Sequence, residues 1–366
     1  MIDCDVLIAG GGPAGISTWL HLHALAPQLA AGAILIEKET HPRHKLCGGG
    51  VTPLADAMLR SLGIRTQCPS VAIHRIEFRF GAERFRLEKK DAFRVVRRHE
   101  FDHELAEAAL ARGLTLHAGE ALVGFAPEGD CLRVETTRES YRTRVLVGAD
   151  GVYSAVREQI PGPVTSHLAR LLEVVTPVDE RHDPEFAEHT AVFDFSPVAE
   201  GLQGYLWHFP CLEGGVASMN RGICDTRTEP RHGHSDLRAL FGRELEARGV
   251  SRPPRTWEGF PVRCFSRRDT LAAPHVILVG DAAGIDPALG EGIAQSMDYG
   301  DLAANSVIDA FGRGDFSFGD YKDRLLRHPL GRSLQTRTRL ARRLYGRLSP
   351  DLERLRQLWI RWLPAG

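Results

Sequence analysis

The chain has 366 residues, of which 43% are hydrophobic and 25% charged, as expected for a globular enzyme of about two domains. No uninterrupted apolar run reaches the ~18 residues of a membrane-crossing helix. Seven cysteines, an odd number with no C-x-x-C pair, argue against a disulfide framework and a zinc site, and for a reducing cytoplasm. The net charge of -1 hides an asymmetry: residues 321–366 carry 12 Lys/Arg against 3 Asp/Glu, and the remainder 34 against 44. The body is acidic and the tail basic.

In chain order, residues 2–15 read as a strand and a glycine turn rather than a signal peptide. The apolar run 4–9 is a buried parallel strand. A helix over 16–29 and a second buried strand over 33–36 complete a βαβ unit. Alternation over 76–80 marks a strand, which Gly81-Ala82 turns back toward Phe85 and Leu87. Helical spacing covers 100–112, and 145–147 is a short buried strand. From 161 to 270 the pattern is mostly alternating strands broken by Pro and Gly. A buried strand returns at 276–279, and a long helix starts near Gly292.

The turn Gly10-Gly11-Gly12-Pro13-Ala14-Gly15 places Gly10, Gly12 and Gly15 in G-x-G-x-x-G. Missing side chains permit a tight turn, close approach to a pyrophosphate and close helix–strand packing, with the helix N-terminus facing the phosphates. Glu37, followed by Lys38, stands where a carboxylate can accept both adenosine ribose hydroxyls. This motif alone does not separate FAD from NAD.

Two later segments do: Val147 to Arg157 (VGADGVYSAVR), and Gly280-Asp281-Ala282-Ala283-Gly284 followed by Asp286-Pro287 and Gly290-Glu291-Gly292-Ile293. With the first motif they resemble the p-hydroxybenzoate hydroxylase-type flavoproteins, which include aromatic hydroxylases, flavin-dependent halogenases and geranylgeranyl reductases. The resemblance implies FAD as cofactor. It implies that Asp281 meets the ribityl chain, Asp150 supports the pyrophosphate region, Pro287 belongs to the cofactor motif, and Arg98 contacts the flavin, with Arg97 as an alternative. Residues Gly290, Gly292 and Ile293 would open a helix toward flavin N1/O2, where its dipole stabilises the negative charge of the reduced ring.

Lys45 to Gly50 (KLCGGG) and Tyr205 to Pro210 (YLWHFP) resemble segments of the geranylgeranyl reductases. In a strand Tyr205, Trp207 and Phe209 share one face, a flat apolar wall suited to a long hydrocarbon chain. Tyr205 and Cys47 are candidate catalytic groups, with Cys47 also in a loop near the flavin, and no residue is assigned to metal. The expected fold is α/β: a discontinuous Rossmann-type FAD-binding domain (1–65, 96–160, 271–320), an inserted antiparallel substrate domain (66–95, 161–270) and a basic helical C-terminal tail (321–366).

The expected activity is reduction of a C=C bond in an isoprenoid-like or lipophilic substrate. A monooxygenase or halogenase on an aromatic or polyketide-like compound is the alternative, and a non-catalytic flavoprotein binding a partner through its tail is a third. With one G-x-G-x-x-G, electrons would come from transiently bound NAD(P)H or from a reduced protein partner. The tail interleaves Arg337, Arg339, Arg342, Arg343 and Arg347 with Leu340, Leu344 and Leu348, and places Leu355, Trp359 and Trp362 on a second helix capped at Ser349-Pro350. It is expected to pack on the body or to make a peripheral membrane contact; a nucleic-acid role has no task in flavin chemistry.

Overall fold

The computed structural model describes residues 1–228, 235–250 and 258–345. Strand β1 (Ile2–Ala9) runs through the glycine turn into α1 (Pro13–Leu25). Pro13 suits a first helical turn, whose N–H would be unpaired anyway. The helix ends before residue 29 because Pro27 cannot continue it; Pro27 instead opens α2 (Pro27–Ala31), which leads to β2 (Ala33–Glu37). Next come β3 (Gly50–Val51) and α3 (Pro53–Ser61), whose N-terminus is capped by Thr52. A long hairpin follows, β4 (Ser70–Phe80) and β5 (Glu83–Val96), turned at Gly81-Ala82.

Helix α4 (Arg98–Leu110) and strand β6 (Thr115–Ala118) come next. A meander then joins β7 (Leu122–Glu128), β8 (Cys131–Thr136) and β9 (Ser140–Gly148). Strand β9 is much longer than its apolar centre at 145–147. Strand β7 was not expected, because it is half-exposed and carries a Gly and a Pro where alternation would show.

After α5 (Ala155–Gln159) the chain enters β10 (Leu168–Pro177), α6 (Pro184–Ala187), β11 (Thr190–Asp194), β12 (Gly204–Glu213) and β13 (Val216–Asp225). Helix α7 (Leu237–Ala247) interrupts a region expected to be strands; Leu237, Leu240, Phe241 and Leu245 carry its buried stripe at helical spacing. Short strands β14 (Glu258–Gly259), β15 (Val262–Arg263), β16 (Ala272–Ala273) and β17 (Val276–Leu278) lead to α8 (Ile293–Arg313), α9 (Tyr321–Arg327) and α10 (Pro329–Tyr345).

Two sheets result. The first runs β16-β17-β9-β1-β2-β6, with β7 and β8 joined through β9. Strands β17, β9, β1, β2 and β6 are parallel and buried; α1 and α8, which pack on each other through Ser17 and Met297, share their core with Leu132, Val134 and Tyr141 of the β8–β9 meander. The second runs β14-β10-β13-β12-β11-β4-β5-β3. It is antiparallel except at β4–β11, which pair in parallel. One of its faces packs on α7 through Leu206 and Ile223; the other carries Tyr205, Trp207 and Phe209. The described part of the basic tail is α9 and α10. Leu340, Leu344 and Tyr345 of α10 are buried in the same core as that aromatic face. Arg347, Leu348, Ser349, Pro350, Leu355, Trp359 and Trp362 lie outside the described residues.

Candidate flavin and substrate site

One cavity of about 970 Å³ lies between the two sheets. Its cofactor wall is mostly backbone. Gly10, Gly12, Pro13 and Ala14 line it, with Glu37 and Lys38 at the end of β2, Asp150 beside Gly10, and Asp281, Gly290, Gly292 and Ile293. Gly10 has φ +113°, and a Cβ there would lie 2.3 Å from the Ala149 carbonyl oxygen; a Cβ on Gly15 would lie 1.9 Å from the Gly10 oxygen. The turn is thus locked from both ends. Gly15 itself packs helix to strand and does not line the cavity. Pro287 also departs from expectation: it is buried between Ile285 and Leu289, which line the cavity, and does not itself reach it.

Glu37 accepts the Gly11 N–H at 2.7 Å and the Glu39 N–H at 3.0 Å, so its carboxylate is fixed against the turn. Asp150 accepts from Ser154 Oγ at 2.5 Å and from the Val156 N–H at 3.1 Å, and burial pushes its carboxyl up. It organises the start of α5 while lining the cavity.

The two adjacent arginines separate cleanly. Arg98 lines the cavity and donates a fork to Asp102, at 2.7 and 2.8 Å. Burial would lower its pKa, but the Asp102 carboxylate outweighs burial and raises it. Arg97 turns to the other sheet, 3.3 Å from Glu173 and 2.5 Å from Glu213. Cys47 is a half-buried free thiol on the cavity wall; its Sγ accepts the Gly49 N–H at 3.4 Å. Lys45, two residues earlier, had been given no role. Its Nζ sits 3.3 Å from the Phe260 ring centroid, and burial pulls it down to about 8 against the pull of Asp281.

The facing wall, the candidate for a substrate, is built from side chains. Tyr205, Trp207 and Phe209 face the cavity with Phe93 and Phe193. The rings tilt rather than forming one flat surface: Tyr205 and Trp207 are 59° apart, Phe193 and Phe209 62°, and Phe93 and Phe209 70°. Edge-to-face packing satisfies the ring quadrupoles better than coplanar stacking and makes an aromatic box. Phe93 and Phe193 come from β5 and β11, so only strand register could have brought them to the site. The Tyr205 phenol donates to the Leu289 carbonyl oxygen, and burial pushes its pKa well up. It ties β12 to the loop before α8. Tyr345 donates to the neighbouring Ala288 carbonyl at 2.7 Å. Arg337 of α10 pairs with Asp286 and Glu291 of the same loop.

The residues present fit a dinucleotide flavin. Gly12 and Gly292 are the N-cap residues of α1 and α8, neither supplies a side-chain cap, and both open into the same cavity. The first N–H groups of two long helices are therefore available to anionic groups of one ligand, as a pyrophosphate and a reduced flavin ring require.

A two-sheet molecule with a glycine-turn βαβ unit and two helix N-termini converging on one cavity is a flavoprotein of the dinucleotide-binding class. The chain belongs to the FAD binding domain family, whose pattern matches residues 3–302. It is 27% identical to a menaquinone reductase of Mycolicibacterium smegmatis over 338 residues, covering 86% of this chain and 78% of that protein. It is 28% identical to a digeranylgeranylglycerophospholipid reductase of Methanothrix thermoacetophila over 334 residues, 85% of this chain and 79% of the relative. A geranylgeranyl bacteriochlorophyll reductase-like protein from Thermoplasma acidophilum shares the fold, with a TM-score of 0.77 at 21% identity over 94% of this chain and 88% of that one. The protein is an FAD-dependent oxidoreductase, and its resemblance to the geranylgeranyl reductase branch holds across most of the chain. No helix among the described residues is long and apolar enough to cross a membrane.

Proposed function

We propose that the enzyme reduces a C=C bond in an isoprenoid-like, lipophilic substrate. The carrying observation is the aromatic box of Tyr205, Trp207, Phe209, Phe93 and Phe193, set in the same cavity as the cofactor wall. A hydrocarbon chain offers no hydrogen bonds and is held by apolar contact. The names of the two curated relatives, a menaquinone reductase and a digeranylgeranylglycerophospholipid reductase, support this substrate class. FAD bound at this wall supplies hydride chemistry. The chain's own residues do the rest: the box orients the alkene and excludes water, Tyr205 fixes the loop before α8, and Arg98 and Lys45 add positive charge beside the cavity.

Electrons reach the flavin from transiently bound NAD(P)H or from a reduced protein partner, since a single G-x-G-x-x-G serves FAD. The test is anaerobic single turnover of the photoreduced enzyme with menaquinone or a geranylgeranylated glycerophospholipid in detergent. Flavin reoxidation with saturation of a double bond is the expected result. A product carrying oxygen from O₂, formed only in air, would establish the monooxygenase alternative instead.

A further inference from the structure

We propose that Glu173 is the proton donor in this reduction, an inference that rests on the reductase reading above. Saturating C=C forms two C–H bonds. One carbon takes a hydride from the reduced flavin, which is left oxidised; the other takes a proton, leaving its donor as the conjugate base. That donor must be an acid on the substrate's side of the cavity.

Glu173 lines the cavity from β10. Its cross-strand partner on β13 is Gly222, whose partner on β12 is Trp207. Acid and indole therefore stand in one row on one sheet face, in a row that continues through Phe193 to Phe78. The indole lies over Gly222, where a Cβ would come within 2.1 Å of the ring, so no side chain separates Trp207 from Glu173. Trp207 Nε1 donates to Asn220 Oδ1 at 2.8 Å. Asn220 Nδ2 donates to Glu173 Oε1 at 3.1 Å and to the Cys47 carbonyl at 2.9 Å. Arg97 Nη1 donates to the same Oε1 at 3.3 Å. Two donors thus wait on the carboxylate that proton transfer would leave.

Burial outweighs Arg97 and pushes the Glu173 carboxyl up to about 7, so about half of it carries the proton at neutral pH. The other charged and titratable groups around it are Glu213, which shares Arg97; the Cys211 thiol, pushed up by burial to about 12; and Glu258, its partner on β14, exposed and 3.4 Å from His44. Asp298, pushed up by burial to about 6, lies on α8 outside the Glu173–Trp207 row, and the other rival acids are engaged. Tyr205 donates to a carbonyl, Asp150 organises α5, Glu37 braces the glycine turn, and Glu291 pairs with Arg337. The Lys45 ammonium sits over Phe260.

Glu173→Gln keeps the side-chain size and the acceptor for Asn220. It should retain FAD and photoreduce normally, yet without O₂ it should saturate a double bond of the geranylgeranylated lipid, which carries no quinone ring to take the electrons, at least about a hundredfold more slowly, the range for loss of a general acid. Infrared difference spectra of wild type should show a protonated carboxyl titrating near pH 7 that is missing in Glu173→Gln. If the wild type saturates no double bond of the lipid, the reductase reading fails. If wild type and Glu173→Gln react equally fast, Glu173 is not the donor while that reading stands. Should Glu173→Gln lose FAD, Glu173→Asp decides. A slowed alkene step with a displaced carboxyl band supports the assignment, and a wild-type rate with an unmoved band overturns it.

Discussion

The two walls of the cavity are made differently. The cofactor wall is backbone: a glycine turn, two helix N-termini and loop amides that bind by having nothing in the way. The substrate wall is side chains: five aromatic rings and one acid, brought together from β5, β10, β11 and β12. A backbone site depends on a few positions close in sequence. A side-chain site depends on strand register, and one strand alone reveals only part of it. The first should fail abruptly when a Cβ is added, and the second gradually as rings are removed.

The largest effect should come from Gly15→Val. Its Cβ would collide with the Gly10 carbonyl, so neither the turn nor the β1–α1 contact can form, and no folded, yellow protein should be recovered. Gly12→Val sharpens the point. A Cβ at Gly12 meets only Arg43 Nη2, at 3.3 Å, so the chain should fold, with a circular dichroism spectrum like wild type. The side chain would fill the phosphate approach, costing about 3 kcal/mol by overpacking, or roughly a hundredfold in FAD affinity. Full FAD content in Gly12→Val would refute this placement of the pyrophosphate.

The substrate wall should behave in the opposite way. Trp207→Ala removes the central ring of the box and the donor to Asn220, and should cost about 2–4 kcal/mol of transition-state positioning. FAD content should stay at the wild-type level, because Trp207 lies outside the three flavin motifs. Unchanged turnover with lipid substrate would show that the box does not hold the reacting chain.

This contrast also explains what could be read from the sequence. Gly10, Gly12, Gly15 and Glu37 could be read because all their constraints act within one βαβ unit. Tyr205, Trp207 and Phe209 could be read because alternation puts them on one face. Phe93, Phe193 and Glu173 could not, since nothing local in β5, β11 or β10 marks them; they join the site only through pairings such as Glu173–Gly222 and Phe193–Trp207. Lys45 belongs to the KLCGGG segment, but its burial over Phe260 is a tertiary fact. The spacing of Leu237, Leu240, Phe241 and Leu245 was legible as a helix and was hidden by the strand-rich context.

The seam between the walls can be tested separately. Arg337→Met removes the cation that pairs with Asp286 and Glu291, leaving Asp286 buried without it, and should destabilise the protein by about 3–5 kcal/mol. Thermal unfolding would measure this, and a melting temperature equal to wild type would rule out a stabilising role for the pair.

The smallest effect should lie on the outer face of the substrate sheet. Burial, with Arg248 nearby, pushes His208 down from 6.5 to about 4. The unfolded chain therefore takes up the proton first, and stability should fall as pH drops from about 6.5 to 4. Glu185 is held near 2 by Arg248 against burial, so its contribution is lost only below about 4.5. His208→Asn should flatten the upper limb and leave the lower one, as followed by melting temperature against pH; an unchanged upper limb would assign it elsewhere.

Helix α10 follows every glycine motif in the chain, yet Arg337 and Tyr345 hold Asp286, Glu291 and the Ala288 carbonyl in the loop that begins α8. The cofactor motifs end in sequence near residue 293, but their scaffold does not. A truncation that looks for the shortest flavin-binding chain by stopping after the last motif would strip the brace from that loop. The minimal unit has to run through Tyr345.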